Sequence, residues 1–337
     1  QTADRHALAL TFHHIALDGW SLSQLLGELF STYATLASGG RLPDPRPDAY
    51  GSYLRWLDSA PKDADFWRKL LDGAPRPAFI DSIRRPGASV AMLASGSGGS
   101  ASKDVFLGAD LSAGLRQAAR DAGSTLSAVC KALWGILVAS YTGVPDAVFG
   151  FIVSGRSAPV RGVDRAIGCM IANAPVRVTF DRSLSMAALA KRLHAEAPGL
   201  ELNAHVPVSA MGVSGAPPFD HAIGFENYPG PGSAPDDARL RPVSFSARER
   251  APFALNALLG DGPDLSLRLA YDPELILSTT IDALGARFVA LAGAFVSDPE
   301  APAFSLAFPE AQDASPCRAG PERRWPERTP AELVQEL

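Results

Sequence analysis

Two histidines, a carboxylate and a glycine fall close together in His13-His14-Ile15-Ala16-Leu17-Asp18-Gly19, the stretch of this 337-residue chain best equipped for chemistry. An imidazole kept neutral by burial can act as a general base. Gly19 can take a positive φ and let backbone approach a bound group, while the first free N–H groups of a following helix attract an anion. Acyl transfer uses such parts together, because pre-aimed donors stabilise the oxyanion of its tetrahedral intermediate. Read singly, each residue also has a plainer explanation. A His-His pair suits two satisfied core or edge histidines, and Asp in an Asp-Gly turn bonds backbone or caps the next helix.

The elements around this stretch must position it. His6 to Ile15, HALALTFHHI, has strand length and is largely apolar on both faces, so a buried strand is predicted there. On a strand, neighbours point to opposite faces. Leu8, Leu10, Phe12 and His14 would share the greasier one, opposite Ala7, Ala9, Thr11 and His13. Asp18-Gly19 marks a turn, and Ser21 with Gln24 has capping-box form. Leu22, Leu25, Leu26, Leu29, Phe30, Tyr33 and Leu36 recur at helical spacing up to Ser38-Gly39-Gly40. A Pro-rich loop, Leu42 to Pro47, leads to Tyr50, Tyr53 and Trp56 and then to a helix over Asp63 to Leu71.

Gly87 to Ser102, GASVAMLASGSGGSAS, reads as a linker. Beyond it strands and helices alternate. Strands are predicted near Val105–Leu107, at Ala147–Val153, ending in Ser154-Gly155-Arg156, and within Ile167–Phe180, which carries Asn173 and Pro175. More strand signals lie at His221–Asn227, Val243–Phe245, Phe253–Leu258 and Leu265–Tyr271. Helices are predicted over Leu111–Asp121, over Ser127–Tyr141 behind a Thr125 cap, over Met186–Ala197 and over Thr280–Phe295. The domain limits follow as 1–86 for a first lobe, 87–102 for the linker, 103–309 for a second lobe, and 310–337 for a Pro- and charge-rich linker onward.

Composition narrows the function classes. The formal net charge is −5, with no basic tract to suggest a nucleic-acid surface. No run approaches the ~18 to 20 uninterrupted apolar residues of a membrane span, nothing N-terminal has secretory-signal layout, and a cytoplasmic location is the expectation. Cys130, Cys169 and Cys317 are isolated, which fits neither a disulfide framework nor a zinc site, so no metal is expected. There is no G-x-S-x-G elbow, no P-loop, no dinucleotide fingerprint and no H-E-x-x-H.

His13 to Ser21, HHIALDGWS, resembles the HHxxxDG signature of the condensation domains of nonribosomal peptide synthetases, in the chloramphenicol acetyltransferase-like superfamily. Further segments are similar to that family: Tyr50 to Trp56 with Phe66-Trp67, Val148-Phe149-Gly150 to Gly155-Arg156, Ile167-Gly168 through Asn173, Pro175 and Arg177, Phe225 to Pro229, and Tyr271-Asp272. The resemblance implies an α/β fold of two lobes, with mixed sheets flanked by helices. It implies that the amine of a carrier-bound aminoacyl thioester attacks a carrier-bound acyl or peptidyl thioester. His14 would be the base or amine positioner, supported by His13; Asp18 would be structural, paired with Arg156; Gly19 would line the thioester; Trp20, Ser154 and Asn173 would border the tunnel. The chain itself would hold no cofactor, since phosphopantetheine arrives on donor and acceptor carrier proteins. Thr329-Pro330-Ala331-Glu332-Leu333 looks like the lead into an adenylation domain of a larger synthetase.

The pattern departs from the family in one large respect. A substantial segment normally precedes the signature, so the N-terminal lobe is expected to be incomplete, its missing part possibly supplied as another chain. Ala172 and Ala174 also flank Asn173 where the family often has bulkier or polar residues, which leaves substrate preference open. Two other functions fit the same residues: an ester- or amide-forming acyltransferase using an alcohol acceptor or a CoA donor, and a non-catalytic module that docks carrier proteins.

Overall fold

In a computed structural model, residues 6–44, 49–88, 99–211, 217–226 and 253–309 are described. The N-terminal part is helical: α1 (Gly19–Ala37), α2 (Ala49–Ser59), α3 (Asp65–Leu70) and α4 (Phe79–Ile83). The rest is built on one sheet of β1 (Ala101–Phe106), β2 (Asp146–Val153), β3 (Ala172–Thr179), β4 (Ala222–Glu226), β5 (Leu255–Gly260) and β6 (Ser266–Tyr271), with helices between. Those helices are α5 (Ala109–Asp121), α6 (Leu126–Thr142), α7 (Met186–Asn203), α8 (Val208–Met211), α9 (Ser278–Ser297) and α10 (Ala303–Ala307). Strand order is β1-β6-β5-β4-β2-β3. β4 pairs in parallel with both β2 and β5, while the other neighbours are antiparallel. This is the mixed sheet flanked by helices that the motifs imply.

The core forms where the sheet meets α6. Every residue of α6 from Ala128 to Ala139 is buried, as expected of a helix apolar all round. Thr125 caps its start by accepting from the Ala128 N–H at 3.3 Å. Trp67 of α3 and Phe79, Ile80 and Ile83 of α4 join the same core. Its polar tie is His221, wholly buried, which accepts the Trp134 Nε1–H at 3.0 Å and holds Asp220 through Nδ1 at 2.7 Å. Asp220 in turn accepts the Ile80 N–H at 2.9 Å, so one network fixes α4 against α6 and the sheet. Arg177 grips Asp146 with Nε at 3.0 Å and Nη2 at 2.8 Å, and donates to the Leu70 and Asp72 carbonyls behind α3.

Several expectations change. His6–Ile15 is not a strand: it lies outside the six-stranded sheet, and Leu8 and Ile15 are 68% and 75% exposed. A strand needs a neighbour for its backbone groups, and none of the described strands runs beside this segment. His13 and His14 therefore do not alternate across a pleat. Tyr50, Tyr53 and Trp56, left unassigned from sequence, lie on α2. The α7 helix continues through Pro198 to Asn203, where the sequence suggested a stop at Ala197; buried Leu200 and the Trp67 Nε1–H bond to the Asn203 carbonyl at 3.1 Å hold the extra turns. Most of the predicted linker, Asn227 to Pro229, the Val243–Phe245 strand and the 310–337 tail lie outside the described residues. By length and composition α9 could cross a membrane, yet Ile281, Leu284, Phe288, Leu291 and Phe295 are core residues.

Lys131 is the one charged side chain inside α6. It is 4% exposed, and its ammonium lies over the Phe151 ring at 4.2 Å from the centroid. Burial pulls its pKa down to about 8, against the opposing charges of Glu201, Cys130 and Glu196. At pH 7 the native state must hold a charge that the unfolded chain solvates freely. Lys131→Met is expected to stabilise the protein by on the order of 2 kcal/mol at pH 7. The advantage should shrink from about pH 8 toward pH 10.5, where the native amine is already neutral and the unfolded one is not. Paired urea melts across that range check both statements; equal midpoints at pH 7 would remove the penalty.

Candidate active site

The site grows from the first turn of α1. Asp18 is its N-cap, extended at φ −101° and ψ 174°, and its Oδ1 accepts the Ser21 N–H at 2.8 Å. The same carboxylate meets Arg156, which follows the end of β2. Arg156 Nη1 reaches Oδ2 at 3.0 Å and Nη2 reaches Oδ1 at 3.2 Å, a forked pair between positions 138 apart in sequence. Asp18 is 0% and the Arg156 side chain 5% exposed. Met170 N–H adds a bond to Oδ2 at 3.0 Å. Burial alone would raise the Asp18 pKa, but the Arg156, Met170 and Ser21 hydrogen bonds and the Arg156 charge together hold it below its ordinary value.

Arg156 does more than pair. Its Nη2 also donates to Ser21 Oγ at 2.9 Å and the Ala166 carbonyl at 3.2 Å, and Nη1 to the Ser154 carbonyl at 3.3 Å. Its Nε has no partner among the described residues. Gly155 delivers the guanidinium: at φ 67° its backbone passes so close to Met170 that a Cβ would lie 2.0 Å from the Met170 carbonyl oxygen. Trp20 and Gln24 both donate to the Asp164 carbonyl, at 3.1 and 2.6 Å, and Arg156 lies 5.4 Å from the Trp20 ring centroid. Ser21 and Gln24 therefore do not form a capping box; Asp18 takes the cap, and their side chains reach across to the loop before β3.

The histidines precede this clamp. A turn follows His13, whose carbonyl accepts from Ala16 at 2.9 Å and whose Nδ1 accepts from the Ile15 N–H at 3.1 Å. His13 is exposed and His14 half-buried, and Gly19 opens α1 half-buried. Ser154 is exposed, with Oγ accepting the Arg156 N–H at 3.3 Å. Asn173 stands on β3 opposite Ile152 and shares no hydrogen bond with the Asp18–Arg156 cluster. Sequence reasoning gave Ser21 only a capping role and passed over the Gly168–Met170 backbone and the role of Tyr50, whose hydroxyl donates to the Cys169 carbonyl at 3.2 Å. The only signals were the serine ending the signature and the Ile167-Gly168 pair. Among the described residues no cluster could hold a metal ion.

Breaking a buried pair by removing one partner strands the other charge, so Asp18→Asn is expected to cost about 3–5 kcal/mol. A carboxyl held below its usual pKa contributes its stability above that range and loses it only as pH falls through the depressed value. The difference in urea midpoint between parent and Asp18→Asn should hold steady from pH 7 to about pH 4 and collapse below. A difference already gone at pH 5 would contradict the geometry.

Comparison with known proteins extends this picture. A family model described as Condensation domain matches residues 1–314. Bacitracin synthase 1 of Bacillus licheniformis is 27% identical over 308 residues, covering 88% of this chain and 6% of the relative. Surfactin synthase subunit 3 of Bacillus subtilis is 25% identical over 311 residues, covering 88% and 23%. The chain thus spans under a quarter of the length of these relatives. Among solved structures, a holo four-domain nonribosomal peptide synthetase bound to AMP and glycine superposes with a TM-score of 0.71 at 18% identity, covering 89% of this chain and 24% of that one. The X-domain from teicoplanin biosynthesis gives 0.68 at 19%, covering 87% and 69%. At such identities these two likenesses speak for the fold.

Proposed function

The chain belongs to the condensation-domain family, and from that premise we propose that it forms amide bonds in nonribosomal peptide biosynthesis. The amine of an aminoacyl thioester on one carrier protein attacks the carbonyl of an acyl or peptidyl thioester on another. A C–N bond forms, the C–S bond breaks, and the donor carrier's phosphopantetheine thiol leaves while the grown chain stays on the acceptor. Phosphopantetheine is part of both substrates. Residues 1–86 then carry the reacting motif and 103–309 the body against which it works, within a larger synthetase that supplies the carrier and adenylation domains.

The observation that carries this reading is the buried Asp18–Arg156 fork. It ties Asp18, the residue four positions after His14, to the sheet at the downstream end of the histidine turn. Such placement gives His14 the role of taking up the proton lost by the attacking amine, or of orienting that amine. Gly19 lies at the start of α1, beside the helix's first N–H groups, where a developing oxyanion is favoured. Asp18 and Arg156 serve as architecture, with His13 supporting.

The test loads acyl and aminoacyl groups on two carrier proteins and compares the parent with His14→Ala. Loss of roughly 100-fold or more in amide formation is expected for a positioned proton acceptor. Equal product from both would point to a docking module, and product only with alcohol acceptors or a CoA donor to the ester-forming alternative.

A further inference from the structure

Ser21 is completely buried, and its hydroxyl is saturated. It donates to the Gly168 carbonyl at 2.6 Å, and accepts from the Gly168 N–H at 3.0 Å and from Arg156 Nη2 at 2.9 Å. A hydroxyl has one donor and two acceptor sites. Nothing remains with which to touch a substrate, so any part it has in the reaction must run through what it holds.

What it holds is a loop gripped along its length. Arg156 takes the Ala166 carbonyl, Ser21 both polar groups of Gly168, Tyr50 the Cys169 carbonyl, and Asp18 the Met170 N–H. Gly168 has no slack on its far side, because a Cβ there would lie 2.3 Å from the Tyr50 ring. On its other side Ser21 sits one helical turn after Asp18, and its own N–H bonds that carboxylate. Upstream, residues 6–13 are exposed and lie outside the sheet. The bonds of Asp18 and Ser21 register the segment that follows the histidine turn against the sheet from its downstream side. We infer that Ser21 is a positioning residue for the His14 chemistry: its hydroxyl locks the first turn of α1, into which the His14 turn leads, onto the Gly168 loop, and so sets where that turn stands relative to the strand ends.

The inference rests on the condensation reading, so the experiment has one arm that needs no turnover. In the intact protein with saturating carrier-bound donor and acceptor, Ser21→Ala is expected to lower kcat roughly 30-fold with KM changed by no more than about twofold. Hydrogen exchange at the amides of residues 13–17 should quicken roughly tenfold while that of α6 is unchanged. Ser21→Thr, which restores the hydroxyl, should recover kcat to within about fivefold of the parent. A folded Ser21→Ala enzyme with parental kcat overturns the inference, as does a Ser21→Thr enzyme that is folded and as slow as Ser21→Ala. If Ser21→Ala does not fold, Ser21→Cys, of similar size but weak in hydrogen bonding, is carried through the same assays; if it too fails to fold, Ser21 is a stability residue and the inference falls. A parent that makes no amide overturns the condensation reading instead, and unchanged exchange in Ser21→Ala then overturns the positioning role independently.

Discussion

A carboxylate and a guanidinium, both removed from water, join helix α1 to the sheet. Taking two charges out of solvent is expensive, and their attraction offsets that cost only when the geometry is good and the remaining polar sites are filled. Both conditions are largely met. Asp18 accepts from two guanidinium nitrogens and two backbone N–H groups, and Arg156 reaches two backbone carbonyls and the Ser21 hydroxyl besides. Among the described residues, Arg156 Nε alone of the pair's polar atoms is left over. Such a pair adds little net stability compared with an apolar substitute, but it specifies one geometry, because any displacement strands several buried polar groups at once.

That requirement propagates outward. The fork needs Arg156 at a fixed height, which depends on β2 lying between β3 and β4 with Gly155 passing tight against Met170. β2 in turn is backed by α6, whose middle has no solvent-facing side. The Trp134–His221–Asp220 chain fastens α4 to that helix, and the Arg177–Asp146 pair fastens the end of α3. A few satisfied polar ties thus join the N-terminal helices to the apolar core and keep the motif in register. Lys131 is the exception inside this core: a charge with a ring face and, among the described residues, no carboxylate in direct salt-bridge contact, and so a local weakness amid good packing.

The proposed chemistry asks little of the chain beyond this geometry. Attack of an amine on a thioester needs a group to manage one proton and donors near the developing oxyanion, held close and still. On the proposed reading the turn at His14 and the start of α1 would supply both, from residues close in sequence. The distant elements decide where those residues stand.

Much of this was readable from sequence, and what was readable shares one property. Helices α1, α5, α6 and α9 and strands β2 and β6 announce themselves through periodicity and apolar runs, which are local, whereas His14, Asp18 and Gly19 stand out as a group only through the resemblance of their stretch to a family signature. The aromatic residues of α2 could be noticed but not placed, since their burial depends on Met170 and Val163, more than a hundred residues on. The apolar run His6–Ile15 read as a strand because composition reports a preference for burial, whereas a strand also requires a hydrogen-bonding neighbour. Ser21 read as half of a capping box because serine caps are local and common; in the folded chain Asp18 takes that place and the serine hydroxyl bonds Gly168, 147 residues away. Sequence alone determined which groups could do chemistry and in what order they lie. Tertiary structure decided which buried polar atoms meet, because each must find a partner once water is gone and only the topology of the sheet determines which partner is within reach.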